Sequence, residues 1–418
     1  MGFADIYLGK QKGFIPCFRD LPSPSLQISV VIPAFREPHV IRSLESLFTC
    51  TLPASHAEVI IVPNRPESAD VAVRDQTRHM MSEISGWIGE HTRPGLRFLL
   101  MPEQIMPDRD AGVGLARKTG MDQALARFNI LNRPHGLVVC FDADSLCSPN
   151  YFTALEETLR FPRMPGFNLY FEHPLSGNEP ESIYHAIAGY ELHLRYMNLF
   201  CRYTGFPYAY HTIGSCFGVR AETYAREGGM NKRKAGEDFY FLHKVIPLGG
   251  FREVNTTCVY PSPRISDRVP FGTGAAMGKY IRDRKEVMTY SPKCYKILKM
   301  LFDSVPAFYD AGRNRIIEIL NSLPEPLRQY LAENNAEDAI REARANSASA
   351  SSFSSRFYSW FNAFRIIKFL NYATLHTFGQ TDIREAAIDC LQTTGFPVEA
   401  SASTGELLKE FRRIEKER

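Results

Sequence analysis

The sequence lacks most of the features that make a chain easy to classify. No apolar run approaches the roughly 20 residues that a bilayer-spanning helix needs. The opening MGFADIYLGKQKGF has no long apolar stretch, so it does not read as a secretory signal. Met1-Gly2 followed by Ile6 and Tyr7 also lacks the Ser or Thr of a myristoylation signal. There is no CxxC pair. The 9 cysteines are odd in number and scattered, which reads as reduced, mostly buried thiols of a cytosolic protein and not as a disulfide framework. The histidines form no HExxH pattern. Neither sign of charge dominates: 49 Lys and Arg against 46 Asp and Glu leave +3, too balanced to hold nucleic acid through bulk charge. No repeat appears at solenoid periods. Gly112-Val113-Gly114 begins like a dinucleotide loop, but the third glycine is missing and Leu115-Ala116-Arg117 follows.

What remains is a chain of 418 residues, a length for two or three domains at about 150 residues each. Its composition is 44% hydrophobic and 23% charged, so it can bury a large core without staples. The first 260 residues alternate between two patterns. Apolar, β-branched runs at 28–32, 58–62, 97–101 and 137–141 read as buried strands, the first two closed by Pro33 and Pro63. Val40, Ile41, Leu44, Leu47 and Phe48 fall at helical spacing. A helix over 114–128 would turn Leu115, Ala116, Thr119 and Ala124 or Leu125 inward. Such alternation predicts an α/β fold with helices on both faces of a sheet. Ligands of such sheets bind beyond the carboxyl ends of the strands, here 33–37, 63–65 and 142–145.

After about residue 275 helical patterns take over, as at Ile316, Ile317 and Leu320, or Ile383, Ala386, Ala387 and Leu391. The Ser/Ala-rich stretch 345–355 reads as a linker. The charged end, 407–418, reads as a frayed helix. The division expected is an N-terminal extension (1–25), an α/β catalytic domain (26–275) and a helical region (276–418).

Asp142-Ala143-Asp144-Ser145 follows a buried strand. Residues two apart on an extended chain point the same way, so both carboxylates would face one ligand. Close carboxylates repel unless a cation joins them or one keeps a proton. Oxygen ligands suit Mg²⁺ or Mn²⁺, which would bridge to a phosphate. The alternative is a solvated turn or a helix cap.

Four segments together resemble the family 2 glycosyltransferases. ISVVIPAFRE (28–37) resembles that family's opening strand. GVGLARKTGMDQA (112–124) is similar to its arginine-bearing helix. DADS (142–145) resembles its DxD, and GEDFYFLHKV (236–245) its late acidic motif. The order is that of the family, and the resemblance spans about 26–265. It implies a GT-A fold, a mixed Rossmann-like sheet flanked by helices, here followed by the helical C-terminal region. It also implies a UDP- or GDP-sugar donor, Mn²⁺ or Mg²⁺, and inversion at the sugar carbon. By the same resemblance, Pro33, Ala34, Phe35 and Glu37 would line the base and ribose, and Asn64 would stand near the base. Arg117 would approach the base or phosphates. Asp142 and Asp144 would meet ribose and metal, with Ala143 between them against the donor. Asp238 would deprotonate the acceptor hydroxyl, supported by Glu237. Four positions depart from the pattern: Arg36 and Lys118 replace Asn, and Pro63-Asn64 replaces an acidic pair. No QxxRW follows, which speaks against a processive polysaccharide synthase.

Arg264 and Arg268 lie in a stretch with Pro261, Pro263, Gly272 and Gly274, where they would close over a diphosphate or form an ordinary surface loop. Lys232-Arg233-Lys234 is either solvated surface or a site for acidic acceptors or phospholipid head groups. His243 is either a metal ligand or a helix residue facing the core, and the role of His211 stays open. The aromatic, basic segment 356–370 is either a packing helix or a surface that lies on a membrane to reach a lipid-linked acceptor. The reading is sugar transfer from a nucleotide sugar to a saccharide or lipid-linked hydroxyl acceptor in glycan or glycolipid assembly. No nucleic acid is involved, and the place is the cytoplasm or the inner face of a membrane. The rival is a catalytically idle nucleotide-sugar-binding scaffold with the same fold.

Overall fold

A computed structural model describes residues 2–265, 277, 278, 280 and 287–418. It has two compact units: residues 1–184, 212–279 and 416–418 form the first, and 185–211 with 280–415 the second. The grouping of 185–211 with the later residues was not legible as a break in sequence pattern.

The first unit is built on a sheet of nine strands: β1 (Leu26–Ala34), β2 (His56–Pro66), β3 (Leu96–Leu100), β4 (Gln104–Met106), β5 (Leu137–Cys140), β6 (Leu146–Cys147), β7 (Gly166–Phe171), β8 (Phe217–Arg220) and β9 (Arg252–Tyr260). The order is β3-β2-β1-β5-β8-β7-β9-β6, with β4 beside the far end of β2. β3, β2, β1 and β5 are parallel; β8 runs antiparallel to β5 and to β7. This is the mixed, GT-A-type α/β sheet. Val30, Val31, Ile32, Val59, Ile60, Ile61, Val138 and Val139 have no exposed surface, as expected of strands covered on both faces.

Pro33 and Pro63 do not close their strands; β1 and β2 run through them. Each lies just past the end of a flanking ladder: β1 pairs with β5 only as far as Val31, and β2 with β3 only as far as Ile61. A proline is tolerated there because one flank is already open.

Helix α1 spans Asp5–Lys10, α2 Val40–Phe48, α3 Val71–Glu90, α4 Val113–Ile130, α5 Tyr151–Glu157, α6 Glu181–Tyr203, α7 Ala221–Arg226 and α8 Glu237–Val245. On α4, Gly120 rests on the sheet: a Cβ there would meet Val31 and Val62 at 2.4 and 2.7 Å. The outer side of α4 is covered by the N-terminal extension. Lys118 Nζ donates to Tyr7 Oη (2.9 Å) and Asp122 Oδ2 (2.6 Å), while Tyr7 and Tyr224 donate to Asp122 Oδ1. Gln123 exchanges bonds with the backbone of Ile15 and Cys17, and Arg127 pairs with Glu58 and donates to the Asp20 carbonyl. Lys118, Asp122, Gln123 and Arg127 are therefore buried on a face that periodicity alone assigns to solvent.

The second unit is mainly helical, with one two-stranded antiparallel pair, β10 (Met288–Tyr290) and β11 (Gln380–Asp382). The 345–355 stretch is not a linker. Only residues 346–349 separate two helices, Ala336–Ala345 and Ala350–Trp360. Ser349 caps the second helix and Ser352 bonds back, so the serines mark a helix start. Within 356–370, Phe357, Tyr358, Phe361, Ile366, Phe369 and Leu370 are buried, so its apolar face is consumed in packing. The end of the chain is not frayed. In the helix Thr404–Lys416, Leu407, Leu408, Phe411 and Ile414 are buried, and Glu415 binds Arg195 and His211. Arg412 and Arg195 share Glu191. No helix among the described residues is long and apolar enough to cross a membrane.

Candidate active site

The chemistry gathers at the carboxyl edge of the sheet. Beyond β5, Phe141 is still hydrogen-bonded to β1 through the Val31 carbonyl, and a turn from Asp142 to Ser145 follows. Ala143 is buried and its carbonyl accepts from Ser43 Oγ at 2.8 Å, which pins the middle of the turn while Asp142 meets Arg117 and Asp144 meets Arg264. Their side chains are 38% and 23% exposed, open enough to meet a ligand.

Arg117 projects from the start of α4 and is buried. Nη2 donates to Asp142 Oδ1 at 2.7 Å and Nη1 to Glu237 Oε1, while Nε has no partner among the described residues. Burial alone would weaken its hold on the proton; the nearby negative charges, Asp142 first and Asp238 with it, more than offset that, so its pKa rises. The opposite wall is Gly214, where a Cβ would come within 2.8 Å of Nη2. Glycine is required there by contact with the guanidinium.

Helix α8, Glu237–Val245, opens with both acidic residues in its first turn, where the helix dipole favours them. It follows Gly236, whose φ of 69° suits glycine. The approach to α4 is close: a Cβ at Gly114 would lie 2.1 Å from the Arg233 carbonyl oxygen. Gly112 and Gly114 thus admit the 233–237 backbone, the reason this pair resembles the opening of a dinucleotide loop. Asp238 is half-buried. Burial raises its carboxyl pKa, with Arg117 acting in the opposite direction.

Arg264, just past β9, reaches the same edge. Its Nη2 donates to Glu37 Oε2 and to Asp144 Oδ2, the latter at 3.2 Å. Glu37 is buried, and its other oxygen accepts from the His39 amide. Burial opposes the charge on Arg264, and Glu37 with Asp144 outweighs it, so this pKa also rises.

The structure therefore unites Glu37, Arg117, Asp142, Ala143, Asp144, Glu237, Asp238 and Arg264. Pro33, Ala34 and Phe35 lead from β1 toward them, with Ala34 buried. Arg36 holds a left-handed φ of 48°, a conformation in which Asn is several-fold enriched over other residues. Asn64 is buried, its amide nitrogen bound to the carbonyls of Ala34 and Val62. Arg268 lies outside the described residues. Lys232, Arg233 and Lys234 are exposed, and Arg233 stacks over the Tyr240 ring at 3.6 Å. His243 sits beside Phe239 on α8, where burial lowers its pKa.

Among the described residues no group of three His, Cys, Asp or Glu side chains could hold a metal ion. The donor chemistry of Asp142 and Asp144 still fits a hard divalent cation that takes one or two carboxylates from protein and its remaining oxygens from phosphate and water. Lys118 was read only as a departure from the family's Asn, and Ser43, Gly214 and Tyr7 were missed in the sequence. No motif marks them, because each acts by placing another residue.

No protein-family model matches the chain, and no curated protein matches it. Solved structures do align with it. Staphylococcus aureus TarS 1–349 in complex with UDP-GlcNAc covers 80% of this chain and 91% of its own, at 12% identity and a TM-score of 0.40. The mannosyltransferase PcManGT from Pyrobaculum calidifontis, in complex with GDP-Man and Mn²⁺, covers 93% of this chain and 92% of its own, at 16% identity and a TM-score of 0.34.

Proposed function

We propose that this protein is a glycosyltransferase that moves a sugar from a UDP- or GDP-sugar to a hydroxyl acceptor with inversion, assisted by Mn²⁺ or Mg²⁺. The observation that carries the reading is the meeting of Asp142, Asp144 and Asp238 at one sheet edge, fixed by Arg117 and Arg264. Five carboxylates, those of Glu37, Asp142, Asp144, Glu237 and Asp238, surround two guanidiniums. Such a site repels a bare diphosphate and accepts one that arrives with a divalent cation.

In this reading Asp144, with Asp142, holds the cation, which when bound would neutralise charge on the leaving diphosphate. Pro33, Ala34, Phe35 and Glu37 line the base and ribose side, with Asn64 behind them. Arg117 keeps Asp142 aimed and supplies positive charge beside the leaving group. Asp238 takes the proton of the acceptor hydroxyl; its raised pKa makes it a stronger base than an ordinary carboxylate. Glu237 holds Arg117. The acceptor class, saccharide or lipid-linked, is part of the proposal.

The test is calorimetric titration of UDP and of GDP, with Mn²⁺ and then with EDTA. Binding of one nucleotide that disappears with EDTA supports the reading. Absence of binding by both, with the protein folded, defeats it.

A further inference from the structure

The sulfur atoms of Cys50 and Cys147 stand 3.6 Å apart, though 97 residues separate them in sequence. Cys50 follows α2 and is fully buried; Cys147, in β6, is partly exposed. Neither belongs to the site described above.

Both are held from several sides. Cys147 N donates to Ser46 Oγ at 2.9 Å, and Cys50 Sγ donates to the Ser46 carbonyl at 3.2 Å. Arg93 Nη1 bonds the carbonyls of Phe48 and Cys50. The contact is thus built into the packing of α2 against the turn that follows Asp144. A disulfide requires the sulfurs to close by about 1.5 Å, to a bond of about 2.05 Å. The hydrogen bond between the two sulfurs lowers the Cys50 pKa and, together with burial, raises that of Cys147. Cys147 is the sulfur a reagent can reach, and Cys50 lies within closing distance of it.

We propose that Cys50 and Cys147 form a reversible dithiol–disulfide site whose oxidant is a small disulfide of the oxidised glutathione class. Cys147 gives its proton to water and attacks one sulfur of the oxidant, giving a mixed disulfide and releasing one thiol. Cys50 then attacks the Cys147 sulfur and expels the second thiol. Two cysteine thiols become one protein disulfide, the oxidant becomes two thiols, and the two protons end on those thiols. The bond clamps the end of α2 to the strand three residues beyond Asp144. The proposal does not depend on the glycosyltransferase reading.

The experiment treats the full chain with graded ratios of oxidised to reduced glutathione, traps free thiols with an alkylating agent and maps peptides by mass. The expected result is a Cys50–Cys147 linked peptide that reverts on reduction, formed at ratios that leave the buried Cys140, Cys216 and Cys294 alkylatable only after unfolding. Cys50→Ser should stop the reaction at glutathione bound to Cys147, and Cys147→Ser should leave Cys50 unmodified. A wild-type map with no linked peptide at any ratio, on protein that stays folded, overturns the proposal whether or not the variants fold. So does a Cys50→Ser protein, shown folded by circular dichroism, that gains no glutathione at Cys147.

Discussion

The Arg117 guanidinium and the Glu237 carboxylate, 120 residues apart in sequence, are paired inside the first unit with almost no solvent exposure. The same guanidinium holds Asp142, so one side chain joins α4, the turn after β5 and α8.

Removing that cation should cost stability as well as chemistry. Arg117→Met leaves the buried Glu237 without its ionic partner, and breaking such a pair costs about 3–5 kcal/mol. Urea unfolding should show a loss of that size. Pairing the variant with Glu237→Gln should recover part of it; a double variant no more stable than Arg117→Met contradicts the coupling.

Asp238→Asn should keep donor binding and lose about 10²–10⁴-fold in turnover. Because the wild-type carboxyl is raised, mainly by burial, the acid limb of the pH–rate profile should lie above the ordinary carboxylate range. Turnover rises through that limb as Asp238 loses its proton. A profile whose limb survives Asp238→Asn assigns the base elsewhere.

Asp144→Ala should lose cation-dependent nucleotide binding in the same calorimetric titration, while its thermal midpoint stays near wild type because the side chain is partly exposed. Equal binding with and without EDTA in the wild type removes the role given to Asp144.

Two glycines give opposite expectations. Gly114→Ala places a Cβ against the Arg233 carbonyl, a backbone atom that cannot swing aside, so α8 must shift and both stability and turnover should fall. Gly86→Ala, in α3, meets nothing and should stabilise by about 0.5–1 kcal/mol. Thermal melts of the two proteins check both signs.

In the second unit, burial lowers the pKa of His193 to about 4 from an ordinary 6.5; its ring lies near Tyr190 and Tyr290, with Nδ1 on Thr289 Oγ1. The native state resists the proton that the unfolded chain accepts. The stability this neutral ring contributes is full above pH 6.5 and drains away as pH falls toward 4, on the order of 2 kcal/mol after allowance for partial exposure. Chemical unfolding between pH 7 and pH 4 should show that slope, and His193→Gln should flatten it.

Much of this arrangement was legible in the residues. The strands at 28–32, 58–62, 97–101 and 137–141 announced themselves by β-branched runs, and the acidic pairs by their place after a strand and before a helix. The sequence could not show that Pro33 and Pro63 lie where a ladder has already ended, since that depends on register. The burial of Lys118, Asp122, Gln123 and Arg127 was hidden for a related reason. Polar residues on a helix read as solvent-facing unless the segment that covers them is known, and here it is the N-terminal extension. Ser349 misled because one residue type serves both flexible segments and helix caps. Arg264 could be placed near the site, but its two partners, Glu37 and Asp144, come from distant strand ends that only the fold unites.

Helix α4 has its successive sides committed to the sheet at Gly120, to the 233–237 backbone at Gly112 and Gly114, and to the N-terminal extension from Lys118 to Arg127. No side of it can loosen without disturbing a neighbour. Its amide protons are then among those that exchange with solvent only on global opening. Arg117 is carried on a helix held from several sides, a fixed bearing against which the carboxylates of the turn after β5 and of α8 are aligned.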